Sequence, residues 1–107
     1  MSYKLHFRYV YTYYSFDEVM DVNAIDEVFE IAEGKRFKLH LQEDSTFLIS
    51  GMGKDCKGPF AILTFPNKDS LVIHEGEECE LAYDEFFDSM GNNDHNVYEG
   101  TVTLVCE

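Results

Sequence analysis

In Glu75-x-Glu77-Glu78-x-Glu80, followed by Tyr83-Asp84-Glu85-Phe86-Phe87-Asp88, carboxylates and aromatic rings are interleaved more densely than a core alone requires. Carboxylates two apart on a strand stand roughly 6.6 to 6.8 Å from one another. Those one turn apart on a helix stand roughly 5 to 6 Å apart. A nucleic-acid backbone carries charge at comparable pitch, so these ten residues read as a surface able to occupy a Lys/Arg track on a partner. Electrostatic steering would accelerate encounter and an aromatic anchor would hold the complex. The competing reading makes Tyr83, Phe86 and Phe87 core residues and the acids a solubilising coat.

The charge distribution favours the surface reading. From Asp69 to Glu107 there are eleven Asp/Glu and no Lys or Arg, and the whole 107-residue chain carries 21 acidic against 8 basic residues, a net charge of −13. The same stretch holds Leu71, Val72, Ile73, Leu81, Tyr83, Phe86, Phe87, Val97, Val102, Leu104 and Val105, too much apolar material for a disordered acidic tail. The negative charge therefore sits on folded structure, whose most useful electrostatic property is attraction to a basic protein. Nucleic acid is excluded as a direct ligand, because its phosphates would be repelled; nucleases, deaminases and guide-RNA effectors present the basic clefts that such a surface fits.

Other constellations carry less chemistry. The window from Asp88 to Glu99 has calcium-loop length, with oxygen ligands at Asp88, Asn92, Asp94, Asn96 and Glu99, but Met90 takes the third place and Asn93 replaces the required glycine. A solvated polar loop explains it better. Gly51-x-Gly53-Lys54 lacks the spacing and hydroxyl residue of a phosphate loop and reads as a hairpin connector. Cys56 lies near Lys54 and Lys57, which would favour its thiolate, yet nothing in the sequence places His6, His40, His74 or His95 beside it as a base. The expectation is a protein without catalytic residues, metal or cofactor. Cys56, Cys79 and Cys106 are odd in number and widely spaced, indicating neither a fully paired disulfide set nor a zinc motif; Cys79 and Cys106 are expected to be reduced packing residues. No signal-peptide core and no stretch approaching roughly 18 apolar residues is present, so a cytosolic protein that does not enter membranes is expected.

These residues must be positioned by one compact domain spanning 1–107, because a second core would leave both too small. Tyr3 to Tyr13 alternates large apolar side chains with Lys4, His6, Arg8 and Thr12, which predicts a long strand with one buried face. Ser15 and Glu18 have capping-box spacing, and Asn23 is a second N-cap candidate. Ile25, Val28, Phe29 and Ala32 recur at helical spacing up to Gly34, with Lys35 and Arg36 beyond, predicting an amphipathic helix over Asn23 to Glu33. Strands are expected over Phe37 to Leu41, Thr46 to Ile49, Pro59 to Phe65, Ser70 to His74 and Val97 to Cys106, with a turn at Pro66-Asn67-Lys68-Asp69. Glu77 to Met90 is expected to begin as a strand and pass into a short helix ended by Gly91. The predicted class is α+β: an antiparallel or mixed sheet of five to six strands with one helix packed on a face, in the order β-α-β-β-β-β-(α)-β.

The succession Ala24-Ile25-Asp26-Glu27-Val28-Phe29-Glu30-Ile31-Ala32, Phe37-Lys38-Leu39-His40-Leu41, Thr46-Phe47-Leu48-Ile49-Ser50-Gly51 and Phe60 to Phe65 before Leu71-Val72-Ile73 resembles the helix-plus-meander pattern of small bacterial immunity proteins that neutralise deaminase-type toxins. The resemblance covers roughly residues 23 to 73 and implies a cytosolic, one-to-one toxin inhibitor. The long aromatic first strand and the lack of a C-terminal amphipathic helix depart from that pattern. They leave phage anti-defence proteins, including anti-CRISPR proteins, equally compatible. Together these readings give an acidic stoichiometric inhibitor that blocks the basic substrate cleft of a nucleic-acid-processing enzyme. Two alternatives stay open: an assembly protein self-associating through an edge strand such as Tyr3 to Tyr13, and a small-ligand-sequestering protein with an aromatic pocket. Oligomeric state is undetermined by sequence.

Overall fold

The computed structural model describes residues 3–32, 36–40, 46–86, 91 and 93–106. Eight strands follow in order: β1 (Tyr3–Ser15), β2 (Glu18–Ile31), β3 (Phe37–His40), β4 (Thr46–Asp55), β5 (Gly58–Thr64), β6 (Ser70–His74), β7 (Glu78–Phe86) and β8 (His95–Cys106). They form two four-stranded antiparallel sheets, ordered β2-β1-β8-β7 and β3-β4-β5-β6. Sequential strands are neighbours except where the chain passes between the sheets after β2 and after β6, and β8 closes back on β1. This is the neighbour order of an up-and-down meander opened into two layers.

The predicted α+β class is thus corrected to all-β, with no helix among the described residues. The expected helix over Asn23 to Glu33 is replaced by β2, paired along its length with β1 from Tyr3↔Ile31 to Ser15↔Glu18. The reason is non-local. Ile25 and Phe29 share strand parity as well as helical spacing, Ile31 has the same strand parity, and β1 offers all three an entire strand of hydrogen-bonding partners. Strand parity puts Val28, assigned to the helix's buried stripe, on the outer side, where it is 54% exposed. Val19, Val22, Ile25, Val28 and Ile31 add a density of β-branched side chains that suits a pleated surface. Gly34 and Lys35, expected at the helix end, lie outside the described residues; of Glu77 to Met90, expected to pass from strand into a short helix, Glu78–Phe86 is strand β7 throughout, Tyr83 and Phe86 included, and residues 87–90 lie outside the described residues.

Ser15 and Glu18 do not cap a helix; they flank a two-residue hairpin turn. Phe16 (φ 54) and Asp17 (φ 60) both adopt positive φ, as the tight hairpin geometry compatible with strand twist requires. Phenylalanine is costly there. Replacing Phe16-Asp17 with Asn-Gly should raise stability by about 1 kcal/mol, measured as a shifted urea midpoint with unchanged m-value. A lower midpoint would show that Phe16 makes contacts worth more than its backbone strain.

One face of each sheet builds a shared core. Leu5, Phe7, Tyr9 and Tyr11 from β1 and Tyr98, Val102 and Leu104 from β8 face Phe47, Ile49, Ala61, Leu63 and Ile73 from the second sheet; all are buried. Phe47 is the meeting point of the layers, in edge contact with Phe65 (5.6 Å), Tyr83 (5.7 Å) and Tyr98 (5.4 Å). The long axis of 46 Å matches the length of the β1–β2 hairpin at about 3.3 Å per residue, so the hairpin runs the full length of the molecule.

Candidate functional site

Because side chains alternate, register fixes which residues share the outer face of the first sheet, the face turned away from the core. On β7 these are Glu78, Glu80, Ala82, Asp84 and Phe86; on β8 they are His95, Val97, Glu99, Thr101 and Thr103. On β1 they are Lys4, His6, Arg8, Val10, Thr12 and Tyr14, and on β2 they include Val22, Ala24, Asp26, Val28 and Glu30. Glu78, Glu80 and Asp84 thus stand on an edge strand, with Glu99 on the strand beside it. All four carboxylate residues share the same outward aspect, and all four are exposed.

Strand parity divides the ten sequence-predicted site residues. Glu78, Glu80, Asp84 and Phe86 come together on the outer face; Phe86 is 62% exposed and supplies the aromatic element. Tyr83 and Glu85 point to the opposite side. Tyr83 stacks on Phe65 (5.0 Å, 18°) and belongs with the core, and burial first, then the Glu85 carboxylate, pushes its phenol above the ordinary range. Glu75 and Glu77 lie in the connection from β6, where the Glu75 amide donates to the Pro59 carbonyl (3.0 Å) and the Glu77 amide to the His74 carbonyl (3.1 Å). Phe87 and Asp88 lie outside the described residues.

Two of the cations on this face, His6 and Arg8, turn away from the β7 acids. His6 Nε2 and Arg8 Nε (3.2 Å) both reach the Asp26 carboxylate on β2. The His6 hydrogen bond, ahead of the charges of His6 and Arg8, holds the Asp26 carboxyl below its usual value. At the other edge the His95 ring N–H donates to Asp84 (2.8 Å). Among the described residues, no ion pair engages Glu78, Glu80 or Glu99. An open depression lined by Arg8, Val10, Ala24, Asp26, Glu99 and Gly100 crosses the middle of the face.

The two layers differ sharply in charge. Residues 1–35 and 75–107, which contain the first sheet, hold seventeen acidic and three basic residues; residues 36–74, which contain the second, hold four acidic and five basic. Net charge is therefore −14 in the first set and +1 in the second. Sequence reading identified the acidic C-terminal segment but missed Glu99 as a neighbour of Glu80, and missed the acidic contribution of β2, because both depend on pairing.

The remaining constellations resolve plainly. Asp94 and Asn96, members of the calcium-like window, are buried and tied to β1: Ser15 Oγ donates to Asp94 (2.5 Å) and Tyr11 OH to Asn96 (2.7 Å). Glu99 sits on the outer face, away from buried Asp94 and Asn96, while Asp88 and Asn92 lie outside the described residues. Gly51 to Gly58 belongs to the β4–β5 hairpin, with a register shift between Ser50 and Gly53. Cys56 is exposed at that hairpin's turn, whereas the Cys79 thiol is pushed up by burial and by Glu77. Among the described residues no three His, Cys, Asp or Glu gather as a metal site, and no helix is long and apolar enough to cross a membrane.

Family models, curated proteins and solved structures offer no match to this chain. The functional reading therefore stands on the geometry and charge of the first sheet.

Proposed function

We propose that this protein is a stoichiometric inhibitor that docks the acidic outer face of its first sheet into the basic substrate cleft of a nucleic-acid-processing enzyme. The observation that carries the reading is the segregation of charge, −14 in the segments of one sheet against +1 in those of the other. A molecule so polarised approaches a basic partner first sheet foremost. Glu78 and Glu80 repeat along β7 at roughly 6.6 to 6.8 Å, with the next strand roughly 4.8 Å away, a spacing comparable to that of phosphates. The protein acts by occupation, without catalytic residues, metal or cofactor, in the cytoplasm of a bacterial cell or of a phage-infected one. Toxin immunity and phage anti-defence, anti-CRISPR activity included, use the same physics.

Self-association through Tyr3 to Tyr13 loses its geometric basis, since β1 lies between β2 and β8 and presents no edge. The edges of the first sheet are β2 and β7, and both carry carboxylates that oppose pairing with a second copy. A sequestered small ligand would compete for the space that Phe47, Tyr83 and Tyr98 fill.

The experiment is binding of fluorescent oligo-arginine at increasing salt. Affinity that falls steeply with ionic strength is expected. Absence of binding at low salt, or affinity indifferent to salt, would contradict the proposal.

A further inference from the structure

Five exposed large apolar side chains lie toward the hairpin end of the first sheet, Phe16, Val19, Met20, Val22 and Phe86, with Val10 in the following row toward the middle. Register builds the patch on the outer face. Phe86, His95, Tyr14 and Val19 form one cross-strand row, and Asp84, Val97, Thr12 and Val22 the next. Tyr14 stacks on His95 (4.5 Å, 24°), which in turn contacts Phe86 (5.9 Å), so the row is a continuous aromatic surface ending in valine. Phe16 sits in the hairpin turn and Met20 at the irregularity where register shifts beside Tyr13 and Tyr14. Clustered apolar exposure of this kind marks an interaction site.

The rim decides the occupant. Asp17, Glu18 and Asp21 surround the hairpin end, and Asp84 and Glu99 stand on the β7–β8 side. The first cation met along the outer side of β1 is Arg8, already held by Asp26. A second copy would set two acidic rims against each other, and an anionic bilayer would be repelled likewise. A partner segment with an apolar stripe flanked by Lys and Arg satisfies both zones. Three rows along the strands span about 13 Å and four strands about 14 Å, room for about two and a half turns of helix laid on the sheet.

We infer that the hairpin end of the first sheet, together with Phe86, is the hot spot of the partner interface, and that its occupant is an amphipathic basic helix of the partner. This rests on the proposed docking of the acidic face and names where on that face the affinity is concentrated. The carboxylates bring the partner in; the apolar rows retain it.

The test uses the full chain and two short Leu/Lys peptides of equal composition, one with leucines at helical spacing and one scrambled so that no stripe forms, beside oligo-arginine. The striped peptide should bind wild type about tenfold or more tightly than its isomer. The variant Val19→Thr/Met20→Thr/Val22→Thr, which keeps β-branched side chains in the strand, should bring its affinity down to that of the isomer while leaving oligo-arginine binding and the melting temperature nearly unchanged, since all three side chains are more than half exposed. If oligo-arginine binds yet the triple variant retains the striped peptide undiminished, the hot spot is wrong and the acidic face stands. If oligo-arginine fails to bind wild type, both fall. Dimers dissolved by the same substitutions in sedimentation, or adsorption of wild type to phosphatidylglycerol vesicles, would assign the patch to another occupant and overturn the inference.

Discussion

Gly100→Ala destabilises the protein by about 3 kcal/mol or more, a large fraction of the stability of an ordinary domain. Gly100 lies in β8 opposite Tyr9 on β1 and Leu81 on β7, at the centre of the first sheet. A Cβ built there would fall on the Arg8 carbonyl oxygen and within 2.5 Å of Tyr9 Cα, both of them backbone that cannot rotate aside. The strands would have to separate where β1 is fixed on its other side by β2 and where Tyr9 is buried beneath the sheet. The neighbouring Thr101→Ala, on the outer face, is the control and should change stability by under about 1 kcal/mol. Urea unfolding of the two variants decides the matter; equal midpoints would mean that β1 and β8 do not approach so closely. The consequence reaches the site, because β8 carries Glu99 and His95 to their places beside β7.

Charge reversal at Glu78, Glu80 and Glu99 to Lys weakens binding of a basic partner on the order of a hundredfold. Each replacement removes an attraction and creates a repulsion, and like-charge contacts across an interface cost several kcal/mol. Asp84 is left intact because His95 already engages it. The remaining affinity should also vary less with salt, since fewer charges meet across the interface. Stability should hold or rise, because the native face loses part of its self-repulsion, which separates lost recognition from lost folding. Lys54→Glu/Lys57→Glu, at the β4–β5 turn of the other sheet, is expected to leave binding nearly unchanged.

β1 was legible in the sequence because its alternation runs uninterrupted from Tyr3 to Tyr13 and admits no helical alternative. β2 was not, because Ile25 and Phe29 satisfy periods of 2 and of 3.6 together; only β1, distant in sequence for most of its length, breaks the tie. The same ambiguity blurred the site. Taking Tyr83, Phe86 and Phe87 as one aromatic face required a helix, whereas strand parity sends Tyr83 inward against Phe65 and leaves Phe86 outside. The one-signed charge of the C-terminal third needed no structure to be seen. That Glu99 lies beside the β7 acids, and that Val19 and Val22 extend a surface begun by Phe86, did need it, because each depends on cross-strand register that no local pattern encodes.

Recognition confined to the outer face of the first sheet has a direct signature in solution. Backbone amide NMR during titration with oligo-arginine reads this residue by residue. Shifts are expected to concentrate on β7 and β8 around Glu78, Glu80, Asp84 and Glu99 and to fade as salt is added, with β4 and β5 silent. Shifts spread evenly over both sheets, or centred on the second, would contradict it.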